Sequence, residues 1–218
     1  MKTSEKILLV ALQQFNELGI EQVSIRSIAR EVGISAGNLT YHYKNTDTII
    51  YELYLQLVEA LSSSIKQIDP QKLDIEWLCE QLESNFQHLW TYKFILLDFA
   101  AVARRVPSIR EHFRQLVVLR QFQFRQILEI LIAKGLLKKE WIKGMYDQYI
   151  LLLIIQSGAW IPDAEIHFDG EVEELIPFYA NLVLGSLLPF LTETGIEQYQ
   201  AYQKKHQRSP IRGYPSAG

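Results

Sequence analysis

Apolar residues recur along this chain at three- and four-residue intervals through most of its length, and strand signals are few. Ile7, Ala11, Phe15 and Leu18, widened by Leu8 and Leu12, form one stripe of a helix predicted from Thr3 to Leu18, with Gly19 as its C′ residue. Ile25, Ile28, Ala29 and Val32 set a second, short helix. Gly33 supplies a turn open to positive φ, and Ile34 tucks back as a plug. Ser35 can cap a third helix, Ala36–Tyr43, which buries Leu39 and Tyr43 and turns Asn38, Thr40, Tyr41 and His42 outward. Asn45 can cap a long fourth helix reaching Gln67, with Ile49, Ile50, Leu53, Leu57 and Leu61 on its buried face and Asp69-Pro70 as its stop.

From Gln71 onward the pattern stays helical. It predicts helices near Ile75–Trp90, Tyr92–Val106, Ser108–Lys134, Lys139–Trp160, Glu171–Leu191 and Gly195–His206. Pro107 separates two of these, with Ser108 and Glu111 at capping-box spacing just after it, and Gly135 marks the next break. Pro162 and the connection Asp163–Gly170 are expected to form the longest loop. Glu171, Glu173 and Glu174 suit the positive end of the following helix, which Pro177 and Pro189 should kink or shorten. The tail, 207–218, carries Pro210, Gly213, Pro215 and Gly218 and is expected to be disordered.

Two short helices around a Gly turn, braced by a preceding amphipathic helix, are the plan of a helix-turn-helix, whose second helix enters the DNA major groove. Gly19-Ile20, Ser24–Ala29 and Gly33–Asn45 (GISAGNLTYHYKN) resemble the N-terminal domain of the TetR family of one-component transcriptional regulators. The resemblance is dense over roughly the first fifty residues. It implies an all-α fold of about nine to ten helices. A three-helix helix-turn-helix DNA-binding domain in 1–46 would be joined by the long helix to a helical ligand-binding and dimerisation domain in 47–206. It also implies an Ω-shaped homodimer on a palindromic operator, released by a small-molecule effector, with repression the commoner mode.

Composition bounds this reading. At 218 residues and 48% hydrophobic, the chain can bury a large core, as one large domain or two modest ones. Its single cysteine, Cys79, excludes a disulfide framework within the chain and fits a reducing compartment. Ile7–Leu12 is too short and lacks a cleavage site for a signal peptide, and the longest apolar run, Tyr149–Ile155, is far below spanning length, so a cytoplasmic location is expected. The net charge of −3 argues against a protein that coats DNA without selectivity. Between Ser24 and Thr46, however, Arg26, Arg30 and Lys44 face only Glu31, a local +2 that dimerisation doubles.

The recognition helix divides its labour by side-chain chemistry. Ala36 and Gly37 are small enough for close approach to the groove floor. Asn38 can make a bidentate contact to adenine, and Thr40 can offer its methyl to thymine. Tyr41, His42 and Lys44 suit phosphate contacts, and the start of the fourth helix at Asn45 and Thr46 can hold another phosphate. Ser24, Arg26 and Ser35 complete the DNA-facing set. Two positions depart from the family pattern: Thr40 stands where an aromatic is usual, and Thr46 where many members have lysine. The bland alternative is a three-helix domain used only for packing or protein contact.

At the other end, Met145, Tyr149, Leu152, Leu153 and Gln156, with Leu175, Phe178, Leu182, Leu184 and Leu188, offer more apolar surface than one subunit needs, and an antiparallel pair meeting its two-fold mate would form a four-helix interface. The alternative is that they fill the subunit's own core. Trp90, Tyr92, Phe94, Phe99, Phe122, Phe124, Tyr149 and Trp160 could wall a pocket, with Asp98, Arg104, Arg105 and Gln126 as orienting polar groups, although aromatic stripes at this spacing are more often plain core. Arg104, Arg105, Arg110, Arg114, Arg120 and Arg125, with Glu111 the one acid among them, could attract an anionic effector. A solvated helix face paired with glutamates is the preferred reading of that stretch.

Catalysis finds little support. Cys79 lies in no nucleophile motif, and His42, His88, His112, His167 and His206 are scattered without metal-ligand spacing. No catalytic residue, metal or cofactor is expected. The partners expected are double-stranded DNA, a second copy of the chain and a partly apolar small molecule. Two other classes stay open: a DNA-binding protein with a sealed core, and a helical enzyme or interaction module that retains the N-terminal domain.

Overall fold

The computed structural model describes residues 1–66 and 68–207, and its named elements over them are all helices. In chain order the helices are α1 (Thr3–Leu18), α2 (Ile25–Val32), α3 (Ala36–His42), α4 (Thr46–Lys66), α5 (Ile75–Thr91), α6 (Lys93–Leu97), α7 (Phe99–Arg105), α8 (Pro107–Ala133), α9 (Met145–His167), α10 (Val172–Gly185) and α11 (Glu193–Lys205). A 3-10 turn, Leu188–Phe190, precedes α11. The tail expected to be disordered falls, apart from Gln207, on 208–218, and the expected end of α4 on Gln67; 67 and 208–218 lie outside the described residues.

The chain forms two compact units. Met1–Ala60 and Leu89–Arg114 make the first; Leu61–His88 and the chain from Gln115 on make the second. In the first, Ile7, Ala11 and Phe15 of α1 are fully buried with Ile28, Leu39, Ile49 and Ile50. Each large aliphatic or aromatic side chain removed from water this way contributes about 1.5–3 kcal/mol. Phe15 stacks on Phe94 of α6 with ring centroids 5.0 Å apart. Asn16 closes the same seam with both ends of its amide: Nδ2 donates to the Thr91 carbonyl and Oδ1 accepts from the Phe94 N–H.

The single helix expected over Tyr92–Val106 is two. Asp98 leaves helical geometry at φ −142° and its carboxylate accepts from the Ala101 N–H, capping α7 and ending α6. An aspartate competes for backbone donors in this way wherever the chain can turn, so periodicity alone misses the break.

The second unit packs Leu73, Ile75, Cys79, Leu131, Tyr146, Ile150 and Leu191 in one core. Here α9 starts six residues later than Lys139. Lys138 N–H donates to the Phe190 carbonyl and Thr192 N–H to the Leu136 carbonyl, so this stretch is tied to the segment before α11. Gly144, at φ +81°, then reverses the chain, and the Glu140 carboxylate accepts from the Tyr146 N–H in the first turn of α9. At its other end α9 runs through Pro162 to His167, where a loop was expected. Proline forfeits one helical hydrogen bond, but Trp160, Ile161 and Ala164 are buried around it and Tyr179 Oη donates to Asp163 Oδ2 at 2.7 Å. Packing outweighs the local penalty.

α10 accommodates Pro177 and stops at Gly185, and Pro189 sits in the 3-10 turn, so the helix expected to reach Leu191 is shorter. Gly195 marks a close approach: a β-carbon there would stand 2.3 Å from the Leu136 carbonyl oxygen.

Candidate functional site

The first three helices are fixed to one another by polar bonds as well as by their core. Ser24 and Ser27 cap α2 reciprocally, each side chain accepting from the other's backbone N–H, and Ser27 Oγ also donates to Gln14 Oε1 on α1 at 2.9 Å. Lys6 Nζ donates to the Val32 carbonyl at 2.9 Å, satisfying the C-terminal end of α2. Gly33 takes the left-handed conformation, φ +80° and ψ 35°, and the Gly33 and Ile34 N–H groups both return to the Ala29 carbonyl. This turn aims α3 away from α2. Ser35 Oγ then accepts from Asn38 N–H to cap α3.

Leu39 is the only fully buried residue of α3. Ser24, Arg26, Ser35, Gly37, Asn38, Thr40, Tyr41, His42, Lys44 and Asn45 are exposed, with Ala36 and Thr46 half-buried. Tyr41, at 86% exposure, is an extreme for so large a ring, and it meets His42 edge-on. Thr40 Oγ1 donates back to the Gly37 carbonyl at 3.0 Å, which leaves the methyl as the group it presents. Gly37 has open space where a β-carbon would sit: the nearest atom is Ser35 Oγ at 3.9 Å, so no packing inside the chain requires glycine there. Tyr43 is half-buried and lies just past the helix rather than inside it.

At the start of α4 Asn45 Oδ1 accepts from the Thr48 N–H and Thr48 Oγ1 from the Asn45 N–H. Arg105 of α7 reaches the same place. Its guanidinium donates to Asp47 Oδ1, Thr46 Oγ1, the Ile20 carbonyl and Glu21 Oε1 over 2.8–3.1 Å. Arg105 therefore ties the loop after α1 to the start of α4, a role its sequence neighbourhood gave no sign of.

The residues expected around an effector divide between the two units. Trp90, Tyr92, Phe94, Asp98, Phe99, Arg104 and Arg105 belong to the first, and Phe122, Phe124, Gln126, Tyr149 and Trp160 to the second. Phe94 packs on Phe15, Asp98 caps α7 and Arg105 holds Asp47. Phe99 packs edge-on against Phe113, and Lys93 lies over the Trp90 ring. Tyr92 Oη donates to Gln56 Oε1, and Arg104 is exposed. In the second unit Phe122 and Gln126 face outward, while Phe124 packs against the core. Trp160 is buried between Phe86 and Tyr179, with ring centroids 4.9 and 5.2 Å away. Tyr149 is buried beside Phe190 and shares a hydrogen bond with Ser186, and burial pushes its phenol up to about 12.

The arginine stretch is not one solvated face. Arg104, Arg110 and Arg114 are exposed, and Arg125 is ringed by Glu129, Glu140 and Asp147. Arg120, by contrast, is buried.

Of the expected interface residues, Tyr149 and Leu175 are buried in their own unit, and Met145, Leu153 and Phe178 are half-buried. Leu152, Gln156, Leu182 and Leu188 are exposed, and they gain company that the periodicity had not singled out. Leu151 and Ile155 stand beside Leu152 on α9, with Leu152 at 55% and Ile155 at 66% exposure, and Val172 is exposed at the start of α10. Gln148, Leu151, Leu152, Ile155 and Ala159 form an outward stripe of α9 at helical spacing. α9 is long and apolar enough to cross a membrane, yet its opposite side holds Tyr146, Ile150, Trp160 and Ile161 in the core.

The fold also gathers Glu76, Glu80 and His206, whose ligand-type atoms lie within 4.8 Å of one another although the sequence spreads them. Lys205 already pairs with Glu76 and, through that hydrogen bond, holds its carboxyl below the usual range.

Residues 7–53 match the profile of the family described as bacterial regulatory proteins, tetR family, and residues 56–199 that of TetR, bacterial transcriptional repressor. The probable HTH-type transcriptional regulator YttP of Bacillus subtilis (strain 168) is 21% identical over 184 residues, covering 81% of this chain and 84% of that protein. A solved TetR-family transcriptional regulator from Marinobacter aquaeolei VT8 has a TM-score of 0.84 at 26% identity, covering 94% of this chain and 99% of that one. The SmeT–triclosan complex has the same fold, with a TM-score of 0.61 at 17% identity, covering 88% of this chain and 92% of that one.

Proposed function

We propose that this chain, which belongs to the TetR family of transcriptional regulators, is a repressor that reads a palindromic operator as a homodimer and releases it when a small molecule occupies its second unit. The observation that carries the reading is the outward face of α3. Its N-terminal end offers small residues and Asn38 to base edges, and the flanking Tyr41, His42 and Lys44 are set for phosphates. Arg26 of α2 and the capped start of α4 add contacts that fix register. A cytoplasmic location goes with this role.

Dimerisation is supported by the outward apolar stripe on α9 together with Leu182 and Leu188. A four-helix interface of α9 and α10 with their mates would cover it, and a two-fold pair of recognition helices would meet half-sites about 34–36 Å apart. Release requires an effector that binds the two states unequally. α4, unbroken from Thr46 to Lys66, is the element through which its presence would reach the recognition helix. SmeT, of the same fold, is seen with triclosan. A partly apolar effector here would meet such residues as Trp160, Tyr149 and Phe124.

Footprinting on the DNA upstream of the gene tests the proposal. Expected are a symmetric protected site, binding that weakens steeply with salt, and a dimer in sedimentation. A monomer that protects no fragment would sink it.

A further inference from the structure

Arg120 on α8 is 9% exposed, the one charged side chain among the described residues buried to that degree. Its guanidinium stays protonated at any ordinary pH and offers five N–H donors. Two of its nitrogens have partners, and both partners are neutral: Nη2 donates to Ser62 Oγ on α4 at 2.6 Å, and Nη1 donates to Gln123 Oε1 at 2.8 Å. No Asp or Glu contacts it among the described residues. The contrast within the chain is sharp, since Arg105 and Arg125 are less buried and each holds two or more carboxylates. Burial alone lowers the guanidinium from its ordinary value, with no neighbouring charge to offset it.

A buried cation without a counter-charge is costly, and proteins keep one where something else completes the pair. The geometry points to Arg120 as the anchor of an anionic effector, an organic monocarboxylate whose carboxyl group the guanidinium holds while Ser62 and Gln123 fix its plane. One guanidinium neutralises one carboxylate, whereas a phosphate dianion would leave a net negative charge inside the unit. Planar fork-to-fork pairing also favours the carboxylate. Ser62 gives the anion a direct handle on α4, the helix that begins beside the recognition helix. This inference rests on the reading of the second unit as the effector-binding part.

The test uses the full chain and two measurements. In the first, wild type and R120M are melted without added carboxylate. Methionine keeps the length and removes the charge, so R120M is expected to melt at the same or a higher temperature and to keep its operator affinity. A markedly lower melting temperature, or loss of operator binding, makes Arg120 a structural residue and overturns the assignment. In the second, straight-chain carboxylates from acetate to decanoate and phenylacetate are compared with the matching amides and with inorganic phosphate. At least one acid should raise the wild-type melting temperature and weaken operator binding about tenfold or more, while its amide and R120M show neither effect. No response to any acid, equal action of the amide or of phosphate, or an undiminished response in R120M overturns it. Should the wild type bind no upstream DNA, the regulator reading fails, and the melting arms still decide the anion site.

Discussion

Arg105 Nε donates to Asp47 Oδ1 at 2.8 Å across fifty-eight residues of sequence, and the same guanidinium holds Thr46, Glu21 and the Ile20 carbonyl. The loop after α1 and the N-terminal end of α4, the two flanks of the helix-turn-helix, thereby share one anchor. Thr46 joins this anchor through its hydroxyl oxygen, which accepts from Arg105 Nη2 at 3.0 Å. Arg105→Ala should cost about 1–2 kcal/mol of stability, the lower part of the range for charge-assisted bonds because the group is only partly buried. It should also weaken operator binding without changing base preference. Urea melts and binding titrations on matched and mismatched operators check both; unchanged operator affinity would show that the anchor does not serve the DNA end.

Asn38 and Lys44 are both exposed but differ in what they can read. Asn38→Ala should relax discrimination at one base pair by about 1–3 kcal/mol. Lys44→Ala should weaken all sequences alike and flatten the salt dependence by about one ion. Binding to a library of single-base operator variants at two salt concentrations separates them, and a uniform loss from Asn38→Ala would place that residue on the backbone.

Leu152 and Ile155 lie outward on α9, so charging them spares the core of their own unit. The double variant Leu152→Glu/Ile155→Glu should sediment as a folded monomer and lose operator binding, since a half-site alone gives little affinity. A dimer that persists in the double variant would move the interface elsewhere.

Cys79 is fully buried in the second core. Burial, helped by the nearby carboxylates of Glu83 and Asp74, pushes its thiol up to about 12. The thiolate is the reactive species, so alkylation by iodoacetamide at pH 8 should be negligible in the native protein and prompt in urea. Rapid native labelling would mean that this core opens readily.

Gly195 faces the Leu136 carbonyl at a distance no β-carbon tolerates. Gly195→Ala should therefore destabilise the chain by about 1–3 kcal/mol even though alanine is the better helix former. Equilibrium unfolding reads the sign directly; a stabilised variant would show that α11 can shift away from Leu136.

The amino-acid sequence by itself determined the helix-turn-helix. Helices α2 and α3 are short and locally capped, and Gly19 and Gly33 each have one conformational job, so Ser24, Gly33 and Ser35 announce their ends, and Asn45 the start of α4, before any tertiary contact exists. Local signals also set most helices of the second half. They failed where distant residues outweighed them: α9 runs through Pro162 because Trp160, Ile161 and Asp163 are held from other helices, and it starts late because residues 136–138 are tied to residues 190–192. Periodicity marks an arginine as polar and outward, and so it could not tell Arg120 from Arg114. Which of six similar side chains ends up enclosed depends on what α4 brings opposite it, and only the folded chain places Ser62 there. Burial of a charge is a tertiary property, because the cost arises from neighbours that lie far away along the chain.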